Sequence, residues 1–179
     1  MRRYIKEKLI EWKNRKDRKP LILKGARQVG KTYILKEFGE EQYENIAYFN
    51  FDHDETLKGL FLNTKDPKRI LEQLVFATGK VIKPEKTLII FDEIQECPDA
   101  LNSLKYFQEE ANEYHIVCAG SLLGIKLSHT SFPDGKVDYL EMYPMTFTEF
   151  LLADNQDNLV DYMESITKIE KIPDIIFEQ

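Results

Sequence analysis

The sequence predicts an α/β protein: a parallel, doubly wound sheet with helices on both faces. Three observations predict it. Short apolar, β-branched segments alternate with amphipathic helical segments along most of the 179 residues. A glycine-rich turn, Gly25 to Thr32, sits between the first strand-like segment and the first long helical one. An acidic pair, Asp92-Glu93, closes the most apolar strand-like segment, and Gly120-Ser121 closes another. Ligands of doubly wound sheets bind beyond the C-terminal strand ends, so three chemically apt groups converge on one edge.

Residues 1 to 20 carry nine Lys or Arg against three Asp or Glu, a balance of +6. Ile5, Leu9 and Trp12 fall at i, i+4 and i+7, the spacing of a surface helix packed inward. Pro20 then LILK reads as a buried strand that runs into the glycine loop. Thr32 to Phe38 reads as a helix, with Gly39 as its stop. Asn45 to Phe51 is a second strand, rich in aromatic residues. Asp52, Asp54 and Glu55 follow it as a solvated acidic loop. Pro67 opens a helix whose Ile70, Leu71, Leu74 and Val75 share one face. TLIIF is a fully buried strand ending at Asp92-Glu93, and Pro98 opens a helix carrying Leu101, Leu104, Tyr106 and Phe107. HIVCA is the fourth strand, KVDYLEM the fifth, and Phe147 to Ala153 begins a last helix.

The turn GARQVGKT fits G-x-x-x-x-G-K-[ST], the phosphate-binding P-loop. Gly25 and Gly30 let the backbone curl so that successive N–H groups face a phosphate, together with those of Ala26, Arg27, Gln28 and Val29. Lys31 neutralises the β- and γ-phosphate oxygens, and Thr32 offers its hydroxyl to Mg²⁺. The following helix adds its positive N-terminal end. About 60 residues further on, Asp92 stands where a second Mg²⁺-holding group is needed. Glu93 beside it is the right group to accept a proton from an attacking water. That adjacency favours hydrolysis over phosphoryl transfer to an organic acceptor. Gln95, close after Glu93, could orient that water, but it reads more readily as a surface residue.

Composition sets the limits. The chain is 42% hydrophobic and 31% charged, ordinary for a globular protein. No apolar run reaches the roughly 18 to 20 residues of a transmembrane helix, so the expectation is a cytoplasmic protein with no membrane partner. Cys97 and Cys118 form no CxxC pair and read as buried thiols. The net charge of −6, less the +6 of the first twenty residues, leaves −12 on the rest. That body is a poor match for a nucleic-acid backbone, and only the basic N-terminal stretch offers one. The six arginines are Arg2, Arg3, Arg15, Arg18, Arg27 and Arg69, so no arginine lies in the later half. Lys136 is the nearest basic substitute there. Hydrolysis by this chain alone is expected to be slow, since arginine fingers supply factors of roughly 10³ to 10⁵. His53, His115 and His129 have no metal spacing.

The series KPLILKGARQVGKT, YFNFD, LIIFDEIQECPDALNSLKYF, AGSLLG and SFPDGKVDYLEMYPMTFTEFL resembles one family. It is similar to the prokaryotic AAA-type ATPases that carry a C-terminal domain of unknown function. The resemblance runs from about Lys6 to about Leu152. It implies a three-layer P-loop sandwich with a five-stranded, mainly parallel sheet of order 5-1-4-3-2. It implies ATP and Mg²⁺ as ligands, with Lys31, Thr32 and Asp92 in their matched roles and Glu93 as catalytic glutamate. Ser121 falls where such ATPases place a polar γ-phosphate sensor. Tyr143 to Phe150 matches a PxxFxEF signature, for which packing of Phe147 and Phe150 is the plain explanation.

The expected organisation is a basic helix over 1–19, the ATPase core over 20–153, and the start of a truncated C-terminal helical region over 154–179. Family members are longer, so the sequence reads as a piece cut at the domain edge or a shortened gene product. Its expected activity is hydrolysis of Mg-ATP to ADP and phosphate, coupled to a conformational change. The expected partners are ATP and ADP, the C-terminal domain or a separate protein, and further copies in an oligomer. Two rivals remain open: a nucleotide switch or scaffold with negligible hydrolysis, and a DNA-associated module using residues 1 to 20.

Overall fold

In the computed structural model, which describes residues 3–121 and 135–166, five strands form one sheet. They are β1 (Leu21–Gly25), β2 (Asn45–Asn50), β3 (Thr87–Asp92), β4 (His115–Ser121) and β5 (Asp138–Met142). The order is β2-β3-β4-β1-β5, which is 5-1-4-3-2 read backwards, and every neighbouring pair is parallel. The helices are α1 (Ile5–Asn14), α2 (Lys31–Gln42), α3 (Glu55–Leu62), α4 (Pro67–Thr78), α5 (Pro98–Glu110), α6 (Phe147–Ala153) and α7 (Asp157–Ser165).

Strand alternation builds two cores. Ile22, Ile89, Phe91, Ile116 and Cys118 point to one face, where α3, α4 and α5 cover them. Leu21, Leu23, Leu88, Ile90, Val117 and Ala119 point to the other, under α1 and α2. A strand buried on both faces reads as a near-continuous apolar run, and in TLIIFD, buried throughout, LIIF supplies it between Thr87 and Asp92. On the first face the rings of Phe51, Phe61 and Phe91 meet edge-on or tilted, with centroids 5.5 to 5.6 Å apart. Cys97 and Cys118 are free and buried, and desolvation pushes both thiols up, towards the unreactive form.

Four expectations are corrected. Gly39 does not stop α2, which runs on to Gln42. A Cβ at Gly39 would lie 2.7 Å from Ile46 Cγ1, so glycine is needed there for close approach of α2 to β2. Val75 is 38% exposed, while Ile70, Leu71 and Leu74 face the core. Asp52, Asp54 and Glu55 are exposed, as a solvated stretch should be, but they are not all loop: the Asp54 side chain accepts from Leu57 N and caps α3, which Glu55 opens. In α6, Phe147 and Phe150 are exposed, and Glu149 and Leu151 are the buried residues. The segment KIPDIIFEQ and the whole stretch between Ser121 and Gly135, His129 included, lie outside the described residues.

Candidate functional site

The glycine loop connects β1 to α2 at the C-terminal edge of the sheet, beside the ends of β3 and β4. Its first glycine is fixed by packing: a Cβ on Gly25 would lie 2.3 Å from the Met142 carbonyl oxygen at the end of β5. Its last is fixed by conformation, since Gly30 has φ 93° and ψ 21°. Gln28 also takes a left-handed φ of 64°. Ala26, Arg27 and Gln28 are exposed, and Val29 and Gly30 are half-buried. No side chain caps the N-terminus of α2 and no acid lies in its first turn. Its first N–H groups therefore face the loop with a partial positive charge, the arrangement that attracts an anion.

Lys31 opens α2 and is buried, with Nζ donating to Gly25 O (3.1 Å) and Ala26 O (2.7 Å). Its pKa is lowered, first by burial; Glu93 and Asp92 oppose that shift and Arg27 adds to it. Thr32 and Asp92, 60 residues apart in sequence, meet where the Thr32 hydroxyl donates to Asp92 Oδ2 at 2.9 Å. Asp92 is 4% exposed, and Oδ1 accepts the Glu93 N–H at 3.1 Å.

Two further residues join the site. The Tyr48 hydroxyl, from β2, also donates to Asp92 Oδ2, at 2.8 Å. Burial first, and then the Asp92 carboxylate, raise the Tyr48 phenol well above its ordinary value, so it stays a donor. Only the sheet order, which makes β2 the neighbour of β3, exposes this contact. Gln95 is half-buried rather than a surface residue. Its Nε2 donates to Glu93 Oε2, and its Oε1 accepts from Ser121 N at 3.3 Å. Glu93 itself stands in the left-handed region, φ 51° and ψ 45°, which a residue with a Cβ adopts rarely.

Other candidates lie elsewhere. Lys136 pairs with Glu109 at 2.8 Å, before the start of β5 and at the far end of that strand from Met142 and Gly25. His115, at the start of β4, binds the Tyr43 hydroxyl at 2.7 Å. In the N-terminal stretch, Arg3 pairs with Glu149, Lys6 with Glu37 and Glu41, and Arg15 with Asp17 and Asp138.

A parallel sheet in this order, with a glycine loop feeding an uncapped helix opposite a strand-end carboxylate, defines a P-loop nucleotide-binding fold. The family model described as an AAA domain matches residues 17–151, and the chain belongs to that family. It is thus a domain of the AAA ATPase type. In shape it is similar to the AMPPCP-bound DnaA of Aquifex aeolicus, with TM-score 0.51 and 16% identity over 89% of this chain and 53% of that one. It is also similar to the Drosophila ORC bound to DNA, with TM-score 0.57 and 18% identity over 89% of this chain and 48% of that one. Identities this low carry the fold alone. The chain spans about half the length of these structures. No curated protein matches it in sequence. Among the described residues, no helix is long and apolar enough to cross a membrane.

Proposed function

We propose that this chain binds Mg-ATP at Gly25 to Thr32 and hydrolyses it to ADP and phosphate, driving a conformational change in what it is joined to. The observation that carries this reading is the 2.9 Å contact of Thr32 with Asp92, beside Lys31 and Glu93. A hydroxyl and a carboxylate are hard oxygen donors, a set that fits Mg²⁺. Thr32 and Asp92 are the residues that would hold that ion, which supplies charge neutralisation for the phosphate oxygens.

The remaining steps belong to the chain's own groups. The N–H groups of the loop and of α2 bind the phosphates. Lys31 exchanges two neutral carbonyls for the β- and γ-phosphate oxygens. Glu93 orients a water and takes its proton as the water oxygen bonds to the γ-phosphorus. The bond to the bridging oxygen breaks, and that oxygen leaves on ADP. Ser121, at the end of β4, is the sensor candidate. Residues 20–153 form the catalytic core in this reading, with 1–19 as a packed basic helix and 154–179 leading into further helical structure. A cytoplasmic setting fits Cys97 and Cys118, both free and buried.

A second reading, a nucleotide switch with negligible hydrolysis, draws on one observation. No arginine follows Arg69, and Lys136 is tied to Glu109. A DNA-associated role gains less. The Drosophila ORC structure has DNA bound, but here Arg3, Lys6 and Arg15 are engaged by acids of the same chain. Mg-ATP binding and phosphate release, measured beside Lys31→Ala and Glu93→Gln, test the proposal. Hydrolysis predicts release by the wild type, no binding by Lys31→Ala, and binding without release by Glu93→Gln. Binding without release in the wild type selects the switch, and full binding by Lys31→Ala overturns the site.

A further inference from the structure

We infer that Gln95 is a positioning residue that couples the end of β4 to the Glu93 carboxylate; this rests on the hydrolytic reading and deepens it. The amide holds two groups at once. Its Nε2 donates to Glu93 Oε2 and its Oε1 accepts the Ser121 N–H at 3.3 Å. A carboxylate only accepts and a backbone N–H only donates, so these partners fix one orientation of the amide. The bond to Glu93 is charge-assisted, the stronger kind.

The backbone under Gln95 is equally fixed. Glu93 takes its left-handed conformation, and the chain closes a 3-10 turn over Ile94–Glu96. Glu96 N donates to Glu93 O at 2.9 Å, and Cys97 N to Ile94 O at 3.1 Å. Ile94 is fully buried beneath the turn. Glu93 and Gln95 therefore ride on a rigid support, and only their side-chain torsions remain to be set. The link between them sets those torsions for both.

The other end of the link reaches the phosphate loop. Ser121 is the register partner of Gly25 across β4 and β1. A contiguous path therefore runs from the first glycine of the loop, through Ser121 and Gln95, to the general base. Contiguity alone is not coupling, so the test must measure coupling. Oriented contact between base and water governs proton transfer, so loosening Glu93 lowers turnover without weakening nucleotide binding.

Gln95→Met keeps the length and volume of the side chain and removes both hydrogen bonds. Mg-ATP affinity should stay within about twofold while kcat falls about tenfold. In a Glu93→Asp background, which keeps a carboxylate but draws it back from the amide, the same substitution should lower kcat by much less than tenfold, because it acts only through Glu93. A merely structural role predicts instead a lower Tm, a weaker affinity and an additive loss. A second readout needs no turnover: the Ser121 amide resonance in the nucleotide-free protein. Glu93→Gln should move that resonance in the wild-type background and leave it in place in the Gln95→Met background. If no variant or wild type releases phosphate, the hydrolytic reading has failed and the resonance alone decides the link. Unchanged kcat in an active background, or equal resonance shifts in both backgrounds, overturns the inference.

Discussion

Two buried cations sit in two regions of the molecule, and their partners differ. Arg3, 7% exposed, donates through Nε to Glu149 Oε1 at 3.1 Å. Glu149 also accepts from Tyr4 N at 3.0 Å and Thr146 N at 2.9 Å, so that carboxylate is saturated. Lys31, 8% exposed, rests on two neutral carbonyls and has no carboxylate within ion-pair distance among the described residues. The first pair is closed, with its charge cancelled inside the fold. The second is open: a desolvated positive charge held only by dipoles, which a phosphate would satisfy better. A buried charge paired within the chain serves the fold, and one left on carbonyls serves a ligand.

The sharpest way to break that contrast is to truncate each side. Glu149→Ala leaves Arg3 buried without a counter-charge and should cost about 3 to 5 kcal/mol in chemical denaturation. Glu149→Gln keeps the capping-box acceptor and should recover part of that loss. Lys31→Ala should leave the nucleotide-free protein at least as stable, because it removes a buried charge with no opposite partner. It should also abolish the rise in Tm that Mg-ATP gives the wild type. If Lys31→Ala instead unfolds the protein, the two cations are alike and the distinction fails.

The open site was legible in sequence because its parts are local. The spacing of Gly25, Gly30, Lys31 and Thr32 is a single turn, and Asp92-Glu93 ends a strand recognisable by its apolar run. The closed pair was not legible. Arg3 and Glu149 are 146 positions apart and meet only through the tertiary fold. The aromatic residues of the PxxFxEF segment drew the packing role that belongs to Glu149 and Leu151. Tyr48 escaped for the same reason, since its partner lies on the neighbouring strand. Gln95 stands close to Glu93 in sequence, but its second partner, Ser121 N, is reached only through the fold. Gly39 misled because a helix-stopping residue also permits close approach, and here Ile46 of the adjoining strand decides which use applies.

A smaller effect separates the two edges of the sheet by pH. His115 starts β4, away from the site, and its pKa is pushed down to about 4. Burial is the main cause, and the positive charges of Arg18 and Lys13 add to it. In the unfolded chain it titrates near its ordinary 6.5. Between those values the unfolded state takes up a proton that the folded state refuses, so acidification favours unfolding. Stability should drop by about 2 kcal/mol from pH 7 to pH 5, and His115→Phe should flatten that slope. A slope unchanged by the substitution would move the acid sensitivity to the carboxylates.

Next in size is the cap of α6. The Thr146 hydroxyl accepts from Glu149 N at 3.1 Å, and Thr146→Val should cost about 1 kcal/mol. Measured beside Glu149→Ala, it separates the capping share of that loss from the ion-pair share.

The smallest effect tests the electrostatics of the site itself. Lys136 is the nearest basic substitute the sequence offers for an arginine finger, and it pairs with Glu109 with both side chains 43% exposed. Exposed pairs contribute little, so Lys136→Ala should change stability by less than about 0.5 kcal/mol. It should leave phosphate release unchanged, because Lys136 precedes β5 while the loop lies against the opposite end of that strand. A marked fall in release would mean that Lys136 reaches the site of another copy of the chain. An unchanged rate removes Lys136 from the site and leaves Lys31 as the buried cation within the described residues that serves the phosphates.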